Sequence, residues 1–250
     1  MPLILITNDD GIQAPGINLL AEMASRHGDV VVVAPDGPRS AQSSALTINF
    51  PVSARILSRK GDITYWSCTG TPADCVKLAL SQLLDVTPDL VLSGINHGSN
   101  ASVNVLYSGT MGAAIEGAMH GVPSVGFSIN DHSLDVSFGY CLPYFESIIG
   151  KVLANGLPHD VCLNVNAPVG QVKGVRVCRQ AAGRWANDFT PDTAPRPVRY
   201  FWMVGDFFDT EHDDPLADQV SINQGYITIV PVQVDMTAYS ALDFCRAKLL

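Results

Sequence analysis

The sequence predicts an α/β fold built on a mostly parallel sheet, and three observations support this class. A short apolar run occupies residues 3–7, a helical pattern of apolar residues follows over 17–26, and a run of four valines lies within 29–34. Strand, helix and strand in this order form a βαβ unit, whose right-handed connection places the ends of its two strands side by side. The β-branched run is typical of a strand buried on both faces.

Further core elements follow in order along the chain. Residues 48–66 alternate loosely around a turn at 60–62, which predicts an antiparallel excursion. Thr71, with Asp74 three residues later, has the pattern of a helix N-cap and its capping box. More strands are predicted at residues 89–93, 122–129 and 161–165, with helices after Ser108 and over 140–153. We assign these elements to a core domain of residues 1–170.

Beyond Pro168 the pattern becomes β-rich, with strand-like runs at residues 172–178, 198–204 and 226–231. We therefore predict a β-rich extension over residues 171–250, which ends in a helix over 240–248. A stretch rich in Pro and Asp, at 187–197 and 206–218, is interpreted as an excursion or an oligomerisation arm. The aromatic cluster at residues 200–202 is suited either to a partner subunit or to a core strand.

Composition limits the partners and the location that we expect. Hydrophobic residues make up 47% of the 250 residues and charged residues 16%, which indicates a well-buried globular protein. The net charge of −9 disfavours a nucleic-acid duplex or an anionic membrane surface as a partner. The six cysteines are scattered without zinc spacing, and no export or membrane-spanning segment is recognised, so we expect free thiols and a cytoplasmic location.

Two adjacent carboxylates, Asp9 and Asp10, follow the first predicted strand in the turn Asn-Asp-Asp-Gly. In an open parallel sheet, ligands bind outside the carboxyl ends of the strands. The two carboxylates repel each other, and a hard divalent cation that binds oxygen ligands would turn this repulsion into attraction. The alternative is a polar turn in which Asp10 caps the next helix.

Other polar residues follow the neighbouring predicted strands. Ser40 lies in the loop after the second strand, Asn96 follows the third, and Ser108, Gly109 and Thr110 precede a helix. Taken singly, each fits an ordinary loop, turn or helix cap, and His97 fits a solvated side chain. Because topology brings them to one sheet edge, we predict that Asp9, Asp10, Ser40 and Asn96 bind Mg²⁺ or Mn²⁺, a ligand set better suited to these ions than to zinc. The helix start would hold phosphate.

These residues and their spacing resemble the SurE family (survival protein E), a family of metal-dependent nucleoside monophosphate phosphatases. The resemblance is carried by Thr7-Asn8-Asp9-Asp10-Gly11, Ser40, Gly70-Thr71-Pro72-Ala73-Asp74, Ser93-Gly94-Ile95-Asn96 and Tyr107-Ser108-Gly109-Thr110, with weaker similarity to the end of the chain. It implies a Rossmann-like three-layer core, one divalent cation on Asp9, Asp10, Ser40 and Asn96, and phosphate on Asn96, Ser108, Gly109 and Thr110. It also implies activity on 5′- and 3′-nucleotides and a homodimer or homotetramer built partly through an exchanged C-terminal arm.

The reaction that we expect is hydrolysis of a phosphate monoester, with Asp9 or Asp10 as the base that orients water. A covalent aspartyl-phosphate is the mechanistic alternative. Two other classes stay open: a nucleotide- or metal-sensing oligomeric module without turnover, and an oligomeric scaffold. Dinucleotide binding is disfavoured because the first strand lacks a following G-x-G-x-x-G.

Overall fold

A nine-stranded, mostly parallel sheet forms the centre of the protein in the computed structural model, which describes residues 1–131, 133, 136–193, 198–211 and 213–250. Its strands are β1 Leu3–Thr7, β2 Asp29–Pro35, β3 Ala54–Lys60, β4 Ile63–Cys68, β5 Leu90–His97, β6 Ser124–Ile129, β7 Val161–Ala167, β8 Val175–Val177 and β13 Ile227–Gln233. Their order across the sheet is β3-β4-β2-β1-β5-β6-β7-β13-β8.

Helices cover both faces of the sheet. They are α1 Pro15–Ala24, α2 Pro72–Leu78, α3 Gly109–Met119, α4 Leu142–Asn155, α5 Asp218–Asn223 and α6 Leu242–Leu249. Helices α1 and α4 contribute Leu20 and Phe145 to the core on one face, whereas α2 and α3 contribute Val76 and Ala113 on the other. The α/β class and the three-layer, Rossmann-like core predicted from the sequence are confirmed.

The central position of β1 explains its uninterrupted apolar sequence. Ile4 pairs with Val30 of β2 on one side and with Leu90 of β5 on the other, both in parallel register. Ile4, Leu5 and Ile6 are fully buried, as expected for a strand covered on both faces. The parallel pairing places the carboxyl ends of β1, β2, β5 and β6 at one edge of the sheet, where the predicted polar residues follow.

The predicted extension contributes to the central sheet. Strand β13 runs antiparallel to β7, and β8 runs parallel to β13. Two antiparallel pairs form small separate sheets, β9 Gly183–Ala186 with β12 Asp206–Asp209, and β10 Phe189–Asp192 with β11 Tyr200–Met203. The boundary at residue 170 stays a prediction, and residues 194–197 and 212 of the predicted excursion lie outside the described residues.

Apolar side chains of the extension are exposed on this chain. Tyr200, Phe201 and Trp202 are 49%, 55% and 66% exposed, so the core-strand interpretation of this cluster is wrong. Helix α6 has no buried residue, although it carries Leu242, Phe244 and Leu249. All six cysteines are free, as expected. Within the described ranges, no helix combines the length and the hydropathy that crossing a bilayer requires.

Candidate active site

The turn after β1 is closed by Asn8. Its side-chain amide donates to the carbonyl of Gly11 (2.9 Å), and the Gly11 N–H donates back to the Asn8 side-chain oxygen (3.1 Å). Helix α1 begins at Pro15 after Ala14, which makes no side-chain cap. The alternative that Asp10 caps this helix is therefore wrong. Asn8 was missed as a structural residue of the site, although the Asn-x-x-Gly spacing is the pattern of such a turn.

Asp9 is held where α3 begins. The hydroxyl of Thr110 donates to Asp9 Oδ1 at 2.6 Å, and the Arg39 N–H donates to the Asp9 carbonyl at 2.7 Å. The carboxylate is packed so closely against Gly109 that a Cβ there would lie 2.9 Å from the Asp9 Cβ. This position requires glycine because any side chain would displace Asp9.

The environment of Asp9 disfavours its negative charge. Burial raises its pKa to about 6, and the charge of Asp10 adds to the rise, whereas hydrogen bonds from the Thr110 hydroxyl and backbone oppose it. Among the described residues, no Lys or Arg forms an ion pair with either carboxylate. The two acids therefore form a negative pair whose charge the surrounding protein leaves largely uncompensated.

Asp10 lies beside Asp9 and is more accessible to solvent. Its carboxylate accepts the backbone N–H of His97 at 3.2 Å, and the imidazole Nδ1 of His97 lies 3.7 Å from the same oxygen. Burial raises the pKa of Asp10, and both interactions with His97 oppose the rise. The expectation that His97 is a solvated side chain is wrong, because its ring is half-buried and contacts the ring of Phe138.

Asn96 lies near the carboxyl end of β5 and Ser40 in the loop after β2, the two strands that flank β1. Asn96 is buried in β5, and its side-chain N–H donates to the Gly98 carbonyl at 2.8 Å, which leaves the amide oxygen available for a ligand. Ser40 is exposed in the loop after β2 and follows Arg39, whose N–H contacts Asp9. The fold thus brings Asn96 and the Ser40 loop to the edge that carries Asp9 and Asp10.

The start of α3 completes this edge. Ser108 is the N-cap, and its hydroxyl oxygen accepts the Met111 N–H at 3.0 Å. Because the Thr110 hydroxyl is engaged with Asp9, its contribution to a phosphate site would come from its backbone. The helix places partial positive charge beside the acid pair. One helix terminus therefore serves both the carboxylate pair and a potential anion site.

The residues at this edge fit a hard divalent cation. Asp9 is a nearly buried carboxylate with a raised pKa, and Asp10 and the Asn96 amide supply further oxygen atoms at the same sheet edge. In the part of the chain that the structure describes, no cluster of three or more His, Cys, Asp or Glu side chains is suited to metal binding. Two carboxylates with neutral oxygen ligands match Mg²⁺ or Mn²⁺ and do not match a zinc site.

A network of buried amides supports the segment that follows Asn96. Asn166 Oδ1 accepts the Asn100 N–H at 2.8 Å, and the Asn164 side chain donates to the Asn100 carbonyl at 2.8 Å. Asn166 also donates to Asn164 at 2.8 Å, and Asn100 donates to Ser128 at 2.8 Å. Asn164 and Asn166 lie at the end of the strand predicted over residues 161–165, but the sequence does not reveal their shared partner Asn100, which lies 64 and 66 residues away.

The fold and this site define an α/β protein with an acidic, oxygen-rich sheet edge next to a helix N-terminus, the class of site that suits a cation together with a phosphate. The family model described as "Survival protein SurE" matches residues 4–187. The chain belongs to this family.

Relatives and a solved structure agree with this membership. Proteins named "5′-nucleotidase SurE" from Bacteroides thetaiotaomicron and Phocaeicola vulgatus are 47% and 46% identical to this chain. Each alignment covers 97% of this chain. It covers 94% of the Bacteroides protein and 95% of the Phocaeicola protein. The crystal structure of the SurE protein from Aquifex aeolicus superposes with a TM-score of 0.84 at 35% sequence identity. The match covers 98% of this chain and 99% of the Aquifex chain.

Proposed function

We propose that this chain is a divalent-metal-dependent phosphatase that hydrolyses nucleoside 5′- and 3′-monophosphates to nucleoside and phosphate. The nucleotidase activity is supported by the relatives, which carry the name "5′-nucleotidase SurE" and align over nearly the whole chain. The dependence on Mg²⁺ or Mn²⁺ and the activity on 3′-phosphates are our own additions.

The observation that carries the proposal is the position of Asp9. Its carboxylate is nearly buried at the start of α3, next to a second carboxylate, and receives the Thr110 hydroxyl. A bound divalent cation would neutralise the acid pair and polarise a phosphoryl oxygen of the substrate. An acidic protein could then accept a phosphorylated substrate at this edge.

Different residues of the site are assigned to cation binding, phosphate binding and activation of water. We assign Asp9, Asp10, Ser40 and Asn96 to cation binding, and the start of α3 at Ser108, Gly109 and Thr110, with Asn96, to the phosphate. The backbone N–H groups there stabilise negative charge that develops on the phosphoryl oxygens. We assign to Asp10, the more accessible acid, the role of orienting the attacking water and accepting its proton. Direct attack by water and a covalent aspartyl-phosphate are distinguished by trapping in ¹⁸O-labelled water.

A nucleotide panel tests the activity. We expect the purified chain to release phosphate from 5′- and 3′-nucleoside monophosphates in Mg²⁺ or Mn²⁺, and EDTA to remove this activity. Measuring free phosphate for each nucleotide with each metal and with EDTA checks both parts. Activity that persists in EDTA would contradict the metal dependence. Inactivity on every nucleotide would favour the alternative of a nucleotide- or metal-sensing module.

We also propose a homodimer or homotetramer in which the C-terminal arm is exchanged between subunits. The apolar residues of α6 are exposed to solvent on this chain. A cavity of about 560 Å³, lined in part by Val105, Ile115, Val230 and Met236, lies where this arm leaves the sheet. Reciprocal exchange would bury both surfaces. The free cysteines support a cytoplasmic location for this assembly.

Substitution of Phe244 by Asp in α6 tests the assembly. We expect the full-length chain to form a dimer or tetramer, and the Phe244→Asp variant to dissociate at concentrations where the wild type stays assembled, because a charge replaces an apolar anchor. Light scattering after size-exclusion chromatography gives the mass. Val86→Asp is the matched control, since Phe244 and Val86 are both 64% exposed. A monomeric wild-type chain would contradict the proposal.

A further inference from the structure

Residues 98–107 connect the two halves of the proposed site. They leave β5 directly after Asn96 and His97, and they end at Ser108, the N-cap of α3. A short 3₁₀ turn, Ser102–Leu106, occupies the second half of this connection. This segment is therefore the covalent link between Asn96 and the phosphate-binding end of α3. We call residues 98–107 the connecting loop.

The predicted extension holds this loop through a buried carboxylate. Asp218 is 1% exposed, and its Oδ2 accepts the N–H of Ser102 at 3.0 Å. Its Oδ1 accepts the N–H groups of Ala181 (2.9 Å) and Gln219 (2.7 Å). The Ser102 hydroxyl in turn donates to the Ala181 carbonyl at 2.9 Å. Asp218, Ala181 and Ser102 thus form a closed hydrogen-bonded set that joins the extension to the loop.

The conformation of Ser102 shows that the loop needs this support. Ser102 is fully buried and has a φ of 56°, a left-handed backbone conformation that residues other than glycine rarely adopt. A second contact from the extension, Trp185 Nε1 to Asn104 Oδ1 at 2.8 Å, lies on the same turn. Burial raises the pKa of Asp218, and the backbone N–H groups oppose this rise by favouring the carboxylate.

We propose that Asp218 is a positioning residue for the phosphate site, because it holds Ser102 and, through the connecting loop, the start of α3. This inference rests on the proposed phosphatase function and assigns the extension a part in it beyond subunit contacts. Asp218 acts through the loop and is assigned no contact with substrate. The alternative is that Asp218 merely attaches the extension to the core.

The test compares substrate, phosphate and metal affinities in the full-length protein. Asp218→Asn replaces one acceptor oxygen by an N–H donor that cannot accept a backbone N–H. At a temperature where the variant is folded, we expect the KM for a nucleotide and the Kd for inorganic phosphate in Mg²⁺ to rise about tenfold, with kcat lowered by a similar factor. The Mg²⁺ concentration for half-maximal activity should rise by a smaller factor than the phosphate Kd, because three of the four proposed cation ligands, Asp9, Asp10 and Ser40, lie outside the connecting loop. Calorimetry gives the phosphate Kd without any turnover.

The control is Asp214→Asn in the same region of the extension. Asp214 pairs with Arg179 and accepts the Leu216 N–H, and neither partner belongs to the loop. We expect its kinetic constants to stay within about twofold of the wild type. Ser102→Ala, which removes only the bond to the Ala181 carbonyl, is a milder second variant and should show the same changes at smaller size.

The outcomes separate the two proposals. Unchanged KM and phosphate Kd in Asp218→Asn, with only a lower melting temperature, would overturn the positioning role. If Asp218→Asn does not fold, the same constants in Ser102→Ala decide, and unchanged values reject the role. A wild-type chain that binds phosphate but releases none from any nucleotide would reject the phosphatase function, and the phosphate Kd of the variants would still test Asp218.

Discussion

Asp9→Asn is expected to lower the rate of phosphate release about 10³-fold, because this substitution removes a charge that the proposed cation needs and would weaken charge stabilisation worth several kcal/mol in the transition state. The side chain keeps its shape and an oxygen that can accept the Thr110 hydroxyl, so the fold around it is retained. Steady-state rates at saturating Mg²⁺ or Mn²⁺ measure the loss.

The same variant should be more stable than the wild type when no metal is present. Asp9 has an ordinary pKa of 3.8 and a pKa of about 6 in the folded chain, so its contribution is most favourable at low pH and is lost as the pH rises from about 4 to about 6. Above that range the ionised carboxylate costs roughly 3 kcal/mol, a cost that asparagine avoids. Urea unfolding in EDTA, at about pH 4 and about pH 7, measures the difference.

The control for Asp9→Asn is Asp29→Asn. Asp29 is an exposed carboxylate at the start of β2, at the opposite end of the sheet. We expect this variant to keep wild-type activity and stability within the error of the measurements. Substantial turnover in Asp9→Asn, or a loss of stability at about pH 7 in the absence of metal, would contradict our account of this carboxylate.

The second large effect is expected for Gly94→Ala in β5, which should lower the free energy of unfolding by about 3 kcal/mol or more. Gly94 has a φ of 132°, and a Cβ on it would lie 2.3 Å from the carbonyl oxygen of Phe127 in β6. The register of β5 against β6 shifts at this point, between Ser93 and Asn96. The backbone of β5 or the backbone of β6 must therefore move. If β5 moves, Asn96 is displaced with it.

Gly61→Ala is the comparison for a positive φ without a close contact. Gly61 also has a positive φ, 57°, but a Cβ there would meet no atom within 4 Å. Its replacement should therefore cost only about 1 kcal/mol, the cost of the backbone conformation. Urea unfolding of both variants under the same conditions makes the comparison. Equal losses for Gly94→Ala and Gly61→Ala would show that the contact with Phe127 is relieved without cost.

Local patterns in the sequence were sufficient for the core. The apolar runs of β1 and β2, the helix between them and the capping box at Thr71 and Asp74 are determined by neighbouring residues, and the structure confirms each of them. The strand over residues 226–231 was also recognised, but its antiparallel pairing with β7 was not. A strand pattern shows which residues are extended and does not show which neighbour they pair with.

The candidate site was only partly predictable for a related reason. Its residues could be placed at one edge because parallel topology collects strand ends there. The contacts between them could not be predicted, since the bond from Thr110 to Asp9 spans 101 residues and that from His97 to Asp10 spans 87. The hydrogen bond from the Ser102 N–H to Asp218 spans 116 residues. It also involves a serine in the left-handed conformation, which no local sequence pattern predicts.

The bond from Thr110 to Asp9 has a consequence for how the two ligands of the site would influence each other. It joins the first turn of α3 to the turn that follows β1, so a ligand that orders one of these segments would also order the other. Thermodynamic linkage then requires reciprocity: if magnesium increases the affinity for phosphate by some factor, phosphate increases the affinity for magnesium by that same factor. If this factor is greater than one, bound metal would increase the affinity for the nucleotide, and bound nucleotide would increase the affinity for the metal.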